Sequence, residues 1–123
     1  MKVVELMNKD VVTCHPSEMV STIINKFELF GITGMPVVEK GKIVGIVSQS
    51  DILKKLKGGS VAEMTVKDVM VADVVTAAPT ESVVAVARLM IDNKINRVPI
   101  VDSDRVVGIV TRGDIIKAVA ECG

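Results

Sequence analysis

The residues that could take part in chemistry form a pattern that this 123-residue chain contains twice. Ser48 stands three positions before Asp51 in the stretch GIVSQSD. Thr111 stands three positions before Asp114 in the stretch GIVTRGD. Each pair lies where an apolar run gives way to a helical pattern, and a helix N-terminus offers free N–H groups and a positive dipole end to an anion. A hydroxyl group there can donate to a phosphate oxygen, and the carboxylate can accept two hydrogen bonds from a vicinal diol such as a ribose.

The same spacing has a purely structural interpretation. A hydroxyl residue followed three positions later by an acid is close to the capping box, which stabilises helix N-termini in proteins of every function. A duplication copies a helix cap as faithfully as a binding site. The spacing alone therefore leaves both interpretations open.

The neighbouring residues Cys14 and His15 invite a metal site or a nucleophile. Adjacent side chains on an extended strand point in opposite directions, which makes chelation by this pair awkward. The chain has no second histidine, and structural zinc sites use four ligands at recognisable spacings. We therefore predict no metal site, and we place His15 at the rim of a site, where it can touch a ligand phosphate.

The composition limits the classes of partner. Fifteen basic and fifteen acidic side chains cancel, and the chain has no Trp or Tyr and only two Phe, so neither a basic stripe nor stacking rings favour nucleic acid. The core must be aliphatic. No apolar run approaches the ~20 residues of a membrane span, and the N-terminus does not resemble a signal peptide. Two cysteines without a paired framework fit a reducing compartment, so we expect a cytoplasmic protein.

The chain is an internal duplication with an offset of 63 residues. Residues 7–20 align with residues 70–83, and residues 32–56 align with residues 95–119, without a gap. Because Asp51 and Asp114 are related by this repeat, they would serve two separate clefts rather than one acid–base pair. No Ser–His–Asp or Cys–His set can be assembled with an orienting partner, so we predict that the protein is not an enzyme.

Each copy has the pattern strand–helix–strand–strand–helix. A short β-branched strand is followed by Pro16-Ser17 or Pro79-Thr80, where the hydroxyl residue is predicted to cap the first helix. Gly31 and Asn93-Lys94 are predicted to end these helices. A hairpin and a second helix follow in each copy.

This pattern predicts a mixed α+β fold of the α/β type, with two tandem β-α-β-β-α repeats packed on each other. The predicted domains are residues 1–58 and 65–123, joined by a linker at 59–64. The Gly-Gly-Ser in KGGSVAEM (57–64) predicts a flexible connection.

The whole chain resembles a tandem pair of CBS domains, also called a Bateman module. The resemblance is carried by GIVSQSD and GIVTRGD, by VVTCHP and VVTAAP, and by MPVVE and VPIVD. It implies a stand-alone regulatory module in which the two repeats form a pseudo-twofold unit. The clefts of this unit would hold AMP, ADP, ATP or S-adenosylmethionine, without a metal. It also implies a homodimer formed through the helices and a protein target that this chain alone does not identify.

The resemblance implies a role for particular residues. Asp51 and Asp114 would bind ribose hydroxyls, and Ser48 and Thr111 would lie at phosphate. The adenine base would lie between aliphatic side chains, and backbone groups would form hydrogen bonds with its edge. The residues near the base would be Val12, Thr13, Met35 and Pro36 in one site and Val75, Thr76, Val98 and Pro99 in the other.

The two copies differ in charge beside this pattern. Arg97 and Arg112 of the second copy stand where the first has Gly34 and Gln49. Because guanidinium groups suit phosphate oxygens, we expect the cleft that receives these arginines to bind phosphate more strongly. A solvated surface role for both arginines is the alternative.

Two other functions stay open at this point. One is a structural or protein-interaction module with empty or degenerate clefts, and the other is a nucleic-acid-associated regulator. Nucleotide binding distinguishes the first alternative, and salt-dependent RNA or DNA binding distinguishes the second.

Overall fold

The chain forms two compact units, described in a computed structural model for residues 1–56 and 61–122. One unit consists of residues 12–74, and the other combines residues 1–11 with residues 75–123. The opening segment of each repeat, residues 1–11 or residues 65–74, therefore lies in the unit that holds the rest of the other repeat. The repeat boundaries predicted along the chain stay a prediction, and residues 57–60 of the predicted flexible connection lie outside the described residues.

The two units share the order helix–strand–strand–helix, and a further short helix follows this order in unit 12–74 and precedes it in the other unit. In unit 12–74 these are α1 (Val20–Phe30), β1 (Gly34–Glu39), β2 (Lys42–Ser48), α2 (Gln49–Lys55) and α3 (Val66–Val69). In the other unit they are a 3-10 helix (Val3–Glu5), α4 (Val83–Asn93), β3 (Arg97–Asp102), β4 (Arg105–Thr111) and α5 (Arg112–Cys122).

Each unit is built around an antiparallel hairpin, as predicted. In β1–β2, Met35 is paired with Val47, and in β3–β4, Val98 is paired with Val110. Both hairpins have a register shift at the same place, between Val37 and Val38 and at the corresponding step in β3. The mixed α+β fold class predicted from the sequence is confirmed.

The cores of the two units are separate and almost entirely aliphatic. Unit 12–74 buries Ile23, Phe27, Met35 and Val37 together with further Val and Ile side chains. The other unit buries a smaller set: Val3, Ala77, Val86, Met90, Val98, Ile100 and Val110. Because the chain has so few aromatic residues, aliphatic side chains must fill its cores. Branched aliphatic side chains pack well on strands and can reach the density of a protein interior.

Each opening segment is attached by a pair of backbone hydrogen bonds to the hairpin of the unit in which it lies. Asn8 and Ile109 exchange bonds of 2.9 and 3.0 Å, and Val71 and Ile46 exchange bonds of 2.9 and 2.8 Å. A methionine just before each bridge lies against a glycine of the hairpin.

These contacts explain the glycine that occurs in both copies. A Cβ atom on Gly45 would lie 2.7 Å from Met70 Sδ and 3.1 Å from the carbonyl oxygen of Val71. A Cβ atom on Gly108 would overlap the Met7 side chain. The glycines are therefore needed because the opening segment approaches the strand closely.

The strand predicted at DVVT in each copy does not form: residues 10–13 and 73–76 belong to no strand, and the next residue in each segment makes a single parallel bridge. Cys14 bridges to Val37, and Ala77 bridges to Ile100. The Cys14 N–H donates to the Pro36 carbonyl at 3.1 Å, and the Cys14 carbonyl accepts from the Val38 N–H at 2.8 Å.

The predicted N-caps at Ser17 and Thr80 are wrong, because the N-cap residues of α1 and α4 are Met19 and Ser82, two residues further along the chain. A turn occupies the intervening residues, where the Glu18 N–H donates to the His15 carbonyl at 3.0 Å. The Glu18 carboxylate in turn accepts from the His15 N–H at 2.6 Å. The predicted helix ends are right: Gly31 and Lys94 both adopt the left-handed conformation.

Candidate functional site

The junction of β2 and α2 carries a complete capping box. The Ser48 N–H and the Ser48 hydroxyl both donate to Asp51 Oδ2, at 2.9 and 2.8 Å. The Asp51 N–H donates back to Ser48 Oγ at 3.3 Å. The structural interpretation of the repeated spacing is therefore right in this unit.

The junction of β4 and α5 repeats the arrangement. The Thr111 N–H donates to Asp114 Oδ2 at 2.9 Å, and the Asp114 N–H donates to Thr111 Oγ1 at 3.3 Å. In both units the box uses Oδ2 of the aspartate, so Oδ1 takes no part in it. Because Asp51 and Asp114 are half-buried rather than enclosed, the capping role and the binding of a diol are compatible.

A third capping box lies outside the repeated pattern. The Thr65 N–H and hydroxyl donate to Asp68 Oδ2 at 2.9 and 3.2 Å. These bonds, first the one from the backbone N–H and then the one from the hydroxyl, lower the pKa of Asp68. Asp68 therefore provides an internal reference for an aspartate that only caps a helix.

The residues predicted to surround a base lie on or beside the hairpins. Met35, Pro36, Val98 and Pro99 are buried within β1 and β3. Val12, Thr13 and Val75 are half-buried and Thr76 is exposed, all on the extended segments that precede the helices. The predicted residues of the first copy fall in unit 12–74 and those of the second copy in the other unit.

His15 belongs to a polar group that the sequence did not reveal. Its Nδ1 atom lies 2.7 Å from Ser17 Oγ, and its Nε2 atom lies 3.6 Å from Glu39 Oε2. His15 is exposed, and its place at the rim of a ligand site stays a prediction.

Lys26 extends this group from α1. Its Nζ atom lies 2.9 Å from Glu18 Oε1 and donates to the Thr13 carbonyl at 3.1 Å. Burial acts to raise the pKa of Glu18, but the hydrogen bonds and positive charges of Lys26 and His15 outweigh it and lower that pKa. One signal in the sequence was available, since the second copy has Leu89 at the position of Lys26.

The two arginines of the second copy occupy different surroundings. Arg97 is half-buried at the start of β3, where its strand partner is Thr111. Arg112 is exposed and lines a groove between α4 and α5 together with Lys94 and Ile91. The phosphate-binding role of both side chains stays a prediction.

Cys14 is a core residue. Burial, followed by the negative charge of Glu18, raises the pKa of its thiol to about 12, which keeps it protonated at neutral pH. Within residues 1–56 and 61–122, no three His, Cys, Asp or Glu side chains are grouped as a metal site would require. No helix in the same ranges has the length and apolar character needed to cross a membrane.

Comparison with protein families gives one match. The CBS domain matches residues 3–58 and again residues 66–121, which together are nearly the whole chain. Both matched ranges contain one copy of the capping box at a strand-to-helix junction.

Three known proteins illustrate the similarity. An inosine-5'-monophosphate dehydrogenase of Methanocaldococcus jannaschii is 39% identical over 92% of this chain, which spans only 22% of that enzyme. The CBS domain pair of protein MJ0100, solved with 5'-methylthioadenosine and S-adenosylmethionine, has a TM-score of 0.91 and 32% identity, covering 100% of this chain and 98% of that one. CBSX2 from Arabidopsis thaliana, solved with AMP, has a TM-score of 0.86 and 25% identity, covering 98% of this chain and 97% of that one.

Proposed function

Because the chain belongs to the CBS domain family and carries two copies of the domain, we propose that it binds adenosine-containing ligands as a regulatory module. The ligand is AMP, ADP, ATP or S-adenosylmethionine, and its occupancy is relayed to a protein partner. The ligands solved with the MJ0100 pair and with CBSX2 share the adenosine moiety, which supports this class of ligand.

The observation that carries the proposal is the geometry of the two capping boxes. Asp51 and Asp114 direct Oδ2 to the N-cap residue, and Oδ1 lies outside the box. An adenosine ribose presents two adjacent hydroxyl donors, which such a carboxylate can accept. Ser48 and Thr111, as N-cap residues, hold this geometry at the helix N-termini, where the dipole favours a phosphate.

The proposed ligand-binding residues are those of the two extended segments and the two junctions. In the first copy they are Val12, Thr13, His15, Met35, Pro36, Ser48 and Asp51. In the second copy they are Val75, Thr76, Arg97, Val98, Pro99, Thr111, Arg112 and Asp114. No metal takes part in the proposed site.

The proposed mechanism is thermodynamic linkage. A ligand that binds the folded module alone stabilises it by about 2.7 kcal/mol at a hundredfold excess over Kd. This stabilisation favours the bound conformation, which a partner then recognises. We propose a cytoplasmic homodimer as the assembly in which this takes place.

The test is calorimetric titration of AMP, ATP and S-adenosylmethionine against the protein and against Asp51→Asn, Asp114→Asn and Asp68→Asn. An asparagine keeps a carbonyl oxygen for the cap but replaces the second oxygen with a donor, so it cannot accept the diol. We expect binding of at least one ligand, weakened by roughly tenfold or more in Asp51→Asn or Asp114→Asn, because hydrogen bonds to a charged carboxylate are lost.

The Asp68→Asn variant is the matched control, because it alters the third capping box and no proposed ligand contact. It is expected to bind as the unaltered protein does. Equal affinity in all four proteins would contradict the assigned roles of Asp51 and Asp114. No binding of any adenosine ligand would instead favour a structural or protein-interaction module.

A further inference from the structure

The extended segment before α1 presents one backbone edge to β1 and leaves a second edge facing away from it. The Cys14 N–H and carbonyl are both bonded to β1, at Pro36 and Val38. Because the backbone groups of successive residues on an extended chain point to opposite sides, the Thr13 carbonyl and the His15 N–H point away from β1. A ligand that forms hydrogen bonds with this segment meets the second edge, because β1 takes the first.

Two side chains of the same unit already occupy the second edge. Glu18 Oε2 accepts from the His15 N–H at 2.6 Å, and Lys26 Nζ donates to the Thr13 carbonyl at 3.1 Å. An ion pair of 2.9 Å between Lys26 Nζ and Glu18 Oε1 joins the two, and both side chains are only 26% exposed. The ammonium group is therefore held at one place beside the carbonyl.

The second copy has the same edge with the same acid. The Ala77 N–H and carbonyl are both bonded to β3, at Pro99 and Val101. Glu81 Oε2 accepts from the Ala78 N–H at 3.1 Å. The acid that holds the N–H of this edge is thus common to both copies.

The lysine, by contrast, belongs to the first copy. Leu89 stands at the position of Lys26, packs against the core of its unit and has no group that can donate to a carbonyl. Thr76, the counterpart of Thr13, is exposed, whereas Thr13 is half-buried. The same backbone acceptor therefore lies beside an ammonium group in the first copy, and the second copy has no lysine at that position.

The ammonium group changes which purine this edge can recognise. A carbonyl oxygen can accept from the exocyclic amine of adenine, but an oxygen already bonded to Lys26 and next to its positive charge is a poor partner for a second N–H donor. Hypoxanthine and guanine carry a keto oxygen, which is an acceptor, at the same ring position. Among the described residues Lys26 bonds to Glu18 and Thr13, and the third N–H of an ammonium group remains for such an oxygen.

From this difference we infer that the site of the first copy prefers a 6-oxopurine nucleotide, that the site of the second copy prefers an adenine nucleotide, and that Lys26 sets the preference. The inference rests on the proposed function, in which the base lies near Thr13 in one site and near Thr76 in the other. It adds a specificity-determining residue and a second class of ligand. Such a module responds to the ratio of two purine nucleotides rather than to one of them.

The test compares AMP with inosine monophosphate (IMP), which has a keto oxygen and an N1 proton where AMP has an amine and a bare N1. Calorimetric titration of an Asp114→Asn protein reports on the first copy, because this substitution weakens the other site. We expect IMP to bind this protein more tightly than AMP. Adding Lys26→Met, which removes the donor and keeps most of the side-chain length, should reduce the preference for IMP by roughly fivefold or more, since a hydrogen bond from a charged group is lost.

The reciprocal substitution carries the test to the second copy. Leu89→Lys, in an Asp51→Asn protein, introduces an ammonium group that Glu81 can pair with as Glu18 pairs with Lys26. We expect it to raise the preference for IMP over AMP by a similar factor.

Two further variants separate specificity from charge and from folding. Lys26→Arg keeps a charged donor and is expected to retain the preference for IMP. Lys54→Met is the matched control, because it removes the same charge from an exposed position of α2 that is not among the proposed ligand-binding residues. It is expected to leave the ratio of the two affinities unchanged.

The outcomes separate the inference from the proposed function. Equal loss of AMP and IMP affinity in Lys26→Met would mean that Lys26 only supports the fold, and it would overturn the inference. A first site that binds AMP more tightly than IMP, or that binds neither, would overturn it as well. Adenosine binding that depends on Asp51 and Asp114, with a base preference that Lys26 does not affect, overturns the inference alone. A protein that binds no adenosine ligand overturns the proposed function.

Discussion

Unit 12–74 and the unit of residues 1–11 and 75–123 share their backbone arrangement but differ in their polar side chains. Both have a hairpin with the same register shift, a capping box at the second helix and an opening segment bridged to the hairpin. The first unit also has Lys26 between Glu18 and the Thr13 carbonyl, whereas the second has Leu89 at that position. The two copies have thus kept the hairpin, the capping box and the bridged segment, and they differ in polar side chains around these shared elements.

The largest expected difference between the units concerns the two glycines. Gly45→Ala would press on Met70 and on the Val71 carbonyl, which is held in place because it accepts a hydrogen bond from the Ile46 N–H. The three atoms that a Cβ atom on Gly108 would meet first all belong to the Met7 side chain, whose outer atoms can shift. We expect losses in the free energy of unfolding of about 3 kcal/mol for Gly45→Ala and about 1 kcal/mol for Gly108→Ala, measured by urea denaturation.

A second substitution tests this explanation. Met7→Ala should recover most of the loss in the Gly108→Ala protein, because it removes the atoms that collide. Met70→Ala should recover only part of the loss in the Gly45→Ala protein, because the carbonyl contact remains. Equal losses for the two glycine variants would show that the backbone contact is unimportant.

The next difference concerns the N-cap hydroxyls. Ser48 Oγ donates to Asp51 Oδ2 in addition to accepting from the Asp51 N–H. Thr111 Oγ1 accepts the equivalent bond from Asp114. We expect Ser48→Ala to cost about 1.5 kcal/mol and Thr111→Ala about 1 kcal/mol in thermal unfolding, with a lesser cost for Ser48→Thr, which keeps the hydroxyl.

The smallest expected difference depends on pH. Folding lowers the pKa of Glu18, so its contribution to stability is present above the ordinary pKa of 4.5 and is lost as the pH falls below it. Lys26→Leu, which copies the second repeat, should therefore cost roughly 0.5 kcal/mol at pH 7 and very little at pH 3. A cost of Lys26→Leu that does not change with pH would indicate lost packing instead.

Much of the fold was predictable because it depends on local patterns. The hairpins and the helix ends at Gly31 and Lys94 follow from periodicity and turn chemistry within a few residues. The starts of α1 and α4 were misplaced because the Glu18 and Glu81 side chains close turns that compete with a helix. That competition depends on side-chain hydrogen bonds, which residue types alone do not specify.

The candidate site was predictable only where both copies carry the same pattern. The repeated Ser/Thr and Asp identified the two junctions, and the structure places each pair in a capping box. The reason for Gly45 and Gly108 was not accessible, because Met70 and Met7 come from segments distant in sequence. The position of Arg112 in the α4–α5 groove likewise depends on how two helices pack, which the sequence of either does not define.

The division of the chain into residues 12–74 and residues 1–11 with 75–123 has an evolutionary consequence. In this arrangement, the opening segment of a chain with a single repeat would not pair with its own hairpin. Two such chains would have to exchange their opening segments, as in a domain-swapped dimer. Fusion of two such genes would make the contact between opening segment and hairpin intramolecular, at a high effective concentration. The duplication would then have become difficult to reverse, because neither half retains all the parts of one unit.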